Sequence, residues 1–135
     1  MSHTLSTTVE LGFADALEAA RARLGDAGFG VLTEIDLAAT LKAKIDADIA
    51  PQVILGACRP PLALAALEAE PTIGVFLPCN VVVRAVDAQH TLVEAMDPAA
   101  MVELTGNEAL ADVAADARKR ISAALEALSN ETVSG

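Results

Sequence analysis

Tryptophan and tyrosine are absent from this 135-residue chain, and Phe13, Phe29 and Phe76 are its only aromatic residues. A protein that reads bases or sugars by stacking needs more ring surface than that, so stacking recognition is excluded. Positive charge is scarce as well: 9 basic side chains stand against 19 acidic ones, for a net charge of -10. A field of that sign repels a phosphate backbone, and a nucleic-acid partner is not expected. Long apolar runs are missing although 53% of the residues are apolar. The longest, residues 73–83, is broken by Gly74, Pro78 and Asn80 and falls short of the roughly 20 residues that span a bilayer, so no membrane partner is expected. Residues 1–10 hold no basic segment followed by an apolar stretch, which makes a cytoplasmic location the expectation.

Histidine occurs only as His3 and His90, far in sequence from both cysteines, and no zinc-ligand spacing appears. No Walker sequence, dinucleotide glycine fingerprint or serine elbow is present, so no cofactor is assigned. The two cysteines, Cys58 and Cys79, are read as free thiols of a reducing compartment rather than as a structural disulfide.

What is present is one domain's length of patterned chain, long enough to bury its own core without staples. Residues 5–11 read as a strand, and Phe13, Ala16, Leu17, Ala20 and Leu24 then recur at helical spacing until Gly28. Residues 29–35 alternate like a strand, with Phe29, Val31, Thr33 and Ile35 on one face. Asp36 caps a short helix through Leu37, Leu41 and Ile45. Residues 52–58 read as a strand apolar on both faces, and Pro60 and Pro61 open a short helix to Ala69. Residues 72–83 are predicted as a fourth strand, with Pro78 at a bulge or on an unpaired side. A turn at residues 87–90 leads to a strand over 91–96, and Asp97 with Pro98 starts one helical turn. Thr105 and Glu108 have capping-box spacing before a long helix carrying Leu110, Val113, Ala117, Ile121, Leu125 and Leu128. This order predicts an α+β fold, β-α-β(4)-α with short helical inserts, in which an antiparallel-rich sheet carries helices on one face. Residues 129–135 are polar and are expected to fray.

Cys58 is the leading candidate for chemistry: it ends an apolar strand just before a helix start, and Arg59 follows it, a setting that favours an anionic sulfur. Two prolines remove N–H groups from that helix start, and Cys58 can equally be a small buried hydrophobe. Cys79 alternates with Val81 and Val83 and is read as facing the core, with Asn80 as its polar neighbour. Whether the two thiols meet depends on strand direction: a parallel crossover gathers them at one edge, an antiparallel pair separates them. Glu34 is the carboxylate placed to assist a thiol, although strand-end carboxylates are commonly just solvated.

The stretches Gly28-Phe29-Gly30-Val31-Leu32, Leu55-Gly56-Ala57-Cys58-Arg59-Pro60-Pro61, Ile73-Gly74 and Leu77-Pro78-Cys79-Asn80-Val81-Val82-Val83 together resemble the domain of unknown function 302. The resemblance runs in order over residues 5–128 and implies a fold like that of the TATA-binding protein, in small proteins that pair as homodimers. It implies no catalytic residue. Three functions are therefore expected, in this order: a binding module that holds a small molecule or soft metal ion near Cys58, Arg59, Cys79, Asn80 and Glu34; a structural dimer for a protein partner; a thiol-dependent enzyme.

Overall fold

The computed structural model describes residues 3–132. Strands β1 (Thr4–Val9), β2 (Gly30–Asp36), β3 (Gln52–Cys58), β4 (Cys79–Ala85) and β5 (Thr91–Met96) form one sheet in the order β1-β5-β4-β3-β2, every neighbouring pair antiparallel. Strand alternation divides the side chains into two faces. Val9, Val53, Leu55, Val81, Val83 and Val93 point to the covered face and are buried. Ile54, Val82 and Leu92 lie on the other face, only partly covered, beside an Arg84 to Glu94 ion pair of 2.7 Å.

Helices α1 (Phe13–Asp26) and α5 (Ala111–Ser129) close the covered face. Alanines at 16, 20 and 124 let the helices approach closely, while Leu24, Ile121, Leu125 and Leu128 fill the space between the strands. With Phe29 the one ring buried in this cluster, many small branched side chains reach interior density by interdigitation. Helix α1 stops because Gly28 adopts φ +91°, a left-handed conformation that a side chain disfavours. Gly28 N–H donates to the Gly25 carbonyl at 3.0 Å and Phe29 N–H to that of Leu24 at 2.9 Å, the paired bonds of a Schellman ending.

Three shorter helices, α2 (Leu37–Ile45), α3 (Pro60–Ala69) and α4 (Ala99–Thr105), sit in the connections. The Asp36 carboxylate accepts from Ala39 N–H at 2.9 Å to start α2, yet no residue of α2 is buried. A second apolar cluster, Ala66, Ile73, Met101, Leu110 and Ala114, packs α3, α4 and the start of α5 together.

The α+β reading with helices on one face of an antiparallel sheet holds, with four local corrections. Residues 71–76 form a 3-10 turn instead of the first half of a strand, and β4 begins only at Cys79, after a cis Leu77–Pro78 peptide. Pro71 and Gly74 break the strand pattern, and Ile73 is buried against α4 and α5 rather than in the sheet. In β2 a bulge between Val31 and Thr33 reverses the alternation, so Thr33 and Ile35 do not share the face of Val31; the whole strand is an exposed edge. Thr105 ends α4 instead of capping α5: its hydroxyl donates to the Met101 carbonyl at 2.6 Å, and Asn107 caps the 3-10 turn that leads into α5. Finally, the segment expected to fray is anchored as far as residue 132, where Thr132 bridges to Glu10 and Glu131 pairs with Arg23 at 3.3 Å; residues 133–135 lie outside the described residues.

Candidate functional site

Strand β3 ends at Cys58 and antiparallel β4 begins at Cys79, with Ala57 directly opposite Cys79. An antiparallel pair separates two thiols only if both lie at the same end of their strands in sequence. Here one closes its strand and the other opens its own, so both reach the same end of the sheet. The late start of β4 produces this, and the continuous strand expected over 72–83 would have hidden it.

The chain turns from β3 directly into α3. Arg59 is the residue before the helix, and its carbonyl accepts from Leu62 and Ala63 N–H, both at 3.0 Å. Pro60 and Pro61 fill the first helical positions, where missing N–H groups cost nothing. Between the ends of the two strands, α3 and α5 lies a cavity of about 30 Å³. Its volume suits one or two water molecules. Cys58, Cys79 and Arg59 line it together with Phe29, Leu77 and Met101, and Val113 and Ala117 of α5 close it.

Three of the five residues singled out from the sequence thus converge. Asn80 does not join them: it is exposed and pairs with Gly56 on the opposite face of the sheet. Glu34 is taken by an ion pair with Arg21 of α1 and stands opposite Leu55 at the sheet edge, so it leaves the thiols without a nearby base. Leu77, Met101, Val113 and Ala117 were not singled out, because they come from three separate stretches, before β4, in α4 and in α5, that only tertiary packing brings together. Phe29 lay within the Gly-Phe-Gly motif, the one signal that could have found it.

Both cysteines are free, Cys58 half-buried and Cys79 buried. Burial pushes the Cys79 thiol above its ordinary range, and the neighbouring Cys58 sulfur pushes it the same way. Cys79 is therefore a protonated thiol at neutral pH. An exposed thiol ionises near pH 8.5, so the unfolded chain loses this proton first and the fold loses stability as pH rises above about 8.5, up to the folded value. We expect iodoacetamide at pH 8 to label the half-buried Cys58 at least about tenfold faster than Cys79, since burial both shields the Cys79 sulfur and holds it protonated. Peptide mapping of a labelling time course reads this, and equal rates would contradict the burial of Cys79.

Among the described residues no group of three or more His, Cys, Asp or Glu side chains is arranged to hold a metal ion. Three sulfur atoms line the cavity, the thiols of Cys58 and Cys79 and the thioether of Met101, a set that suits a soft cation of low coordination number rather than tetrahedral zinc. Among the described residues no helix is long and apolar enough to cross a membrane.

Residues 5–128 match the family described as domain of unknown function DUF302. The crystal structure of an uncharacterized conserved DUF302 protein from Bacillus stearothermophilus superposes with a TM-score of 0.87 at 30% identity, over 95% of this chain and 99% of that one. No curated protein matches. A family match over residues 5–128, together with that superposition, makes this chain a member of the DUF302 family.

Proposed function

We propose that the protein is a binding module that works as a homodimer and holds a small ligand, in the first place a soft metal ion, between Cys58 and Cys79. The observation that carries the reading is the convergence of both cysteines of the chain on one cavity from positions 21 apart in sequence. The volume of about 30 Å³ favours an ion over an organic molecule. Arg59 at the same cavity would offset the negative charge of two thiolates. A reducing, cytoplasmic setting fits thiols that remain free.

Homodimer formation is supported by the exposed edge of β2 and by α2. Val31, Leu32, Ile35 and Ile45 are exposed there, and an apolar edge strand with unpaired backbone groups is a surface that proteins ordinarily cover. The same surface favours the second reading, a structural dimer that needs no ligand. An enzyme has less support, because Glu34 is occupied by Arg21.

Native mass spectrometry of protein purified without chelators tests both parts in one spectrum. The expected result is a dimer with a reproducible extra mass of one ion per protomer, lost on Cys58→Ala. An equal extra mass on that variant removes the thiol from the site, and a clean dimer with no added mass favours the structural reading.

A further inference from the structure

Five of the six arginines have an ion-pair partner: Arg21, Arg23, Arg84, Arg118 and Arg120 each meet a carboxylate. Arg59 has none among the described residues, and its buried Nε has no hydrogen-bond partner among them. In a chain of net charge -10 this is the reverse of what composition favours, since carboxylates outnumber cations two to one. The guanidinium lies over Gly28, whose missing side chain leaves it room: Arg59 Nη1 is 3.1 Å, and Arg120 Nη1 3.6 Å, from the point where a Cβ on that glycine would stand. The two guanidinium groups therefore share one small volume at the end of α1, no farther apart than the sum of those distances.

Part of that gathering has a local cause. Arg120 donates to the Ala27 carbonyl at 3.3 Å, where the helix end carries partial negative charge, and its Nε lies 3.3 Å from Asp116. Those acceptors occupy Arg120 and leave Arg59 unanswered. Lys119, one residue before Arg120, also lacks a partner among the described residues, and with Ala27, Asp116 and Arg120, though not Arg59, it lines an open groove of about 260 Å³ next to Gly28. Two guanidinium groups thus meet over Gly28, and Lys119 borders the adjoining groove that Arg120 also lines, with one carboxylate among them, donors to spare and a groove wide enough for a tetrahedral anion.

We propose that Arg59, Lys119 and Arg120 form a binding site for a phosphate-sized oxoanion over Gly28. Forked guanidinium donors match the oxygens of such a group, and the flexible ammonium of Lys119 adds a point charge at its rim. The site goes beyond the thiol cavity, which Arg59 borders, and phosphate titration reads it separately from any metal.

Isothermal titration of inorganic phosphate into the metal-free full-length protein, at constant ionic strength set with chloride, tests the assignment. Saturable binding is expected, weakened at least tenfold in Arg59→Gln and in Lys119→Gln; neither side chain has a partner among the described residues, and the second variant keeps the test intact should the first fail to fold. A parallel titration with a phosphate monoester identifies the source: tighter binding than inorganic phosphate indicates a phosphorylated molecule, weaker binding the free anion, and both support the site. Absence of saturable heat above the chloride control, or unchanged affinity in both variants, overturns it.

Discussion

Replacing Gly56 with alanine is expected to lower stability by about 3 kcal/mol, at the upper end of what overpacking a filled interior costs. A Cβ on Gly56 would stand 2.1 Å from Thr33 Oγ1 and 2.8 Å from Pro78 Cγ, both closer than any real contact. Thr33 reaches this point because the β2 bulge turns it toward the outer face opposite Gly56, and Pro78 because it leads directly into β4. The threonine can rotate away, but the proline ring is held by its own backbone and cannot. In a Thr33→Ala background the penalty should therefore fall without vanishing, and a double-mutant cycle on urea midpoints measures that coupling. A cost below about 0.5 kcal/mol, the range of an ordinary surface change, would mean that the close approach of β2, β3 and the proline is not real.

Truncating Ile121 to alanine should cost about 2 to 5 kcal/mol, a large part of the 5 to 15 kcal/mol that holds a domain together. Ile121 is 1% exposed and belongs to the main core, between α5 and the covered face of the sheet. Its neighbours in the cluster, Phe29 among them, are already buried in their own places, so the space it leaves is refilled only in part. Leu104, 66% exposed at the end of α4, supplies the control: its alanine variant should stay within about 0.5 kcal/mol of the parent. Chemical denaturation of both variants checks the pair, and similar losses would contradict the assignment of the core.

The parts of the fold that the sequence announces are those where one physical signal acts alone. Leu24 followed by Gly28 marks the end of α1, and the apolar stripe from Leu110 to Leu128 marks the helix that crosses the sheet. Residues 72–83 misled because a short apolar run fits a strand and a buried helical turn equally well, and the packing of Ile73 against Met101 and Leu110 decides between them. At Thr105 the spacing to Glu108 imitated a capping box, but the hydroxyl found the Met101 carbonyl one turn back. The candidate site divides along the same line. Cys58, Arg59 and Cys79 stood out by residue type and position, whereas their meeting depends on where β4 starts, a long-range fact of register. Glu34 and Asn80 have chemically suitable side chains, yet the bulge and the strand alternation send them elsewhere.

The proposed binding carries a pH dependence: an ion held by both thiols would displace the proton of Cys79, whose thiol is held above its ordinary range by burial, so retention should weaken as pH falls.

The measurement that tests the thiol cavity most directly is a competition titration of copper(I) against a colorimetric chelator, on the parent protein and on Cys58→Ala and Cys79→Ala. The account predicts one copper(I) per protomer in the parent, with affinity reduced at least about a hundredfold in each single variant, because one thiolate with the Met101 thioether cannot hold the ion as two thiolates do. Copper(I) left wholly with the chelator by the parent, or held equally by parent and variants, would contradict it.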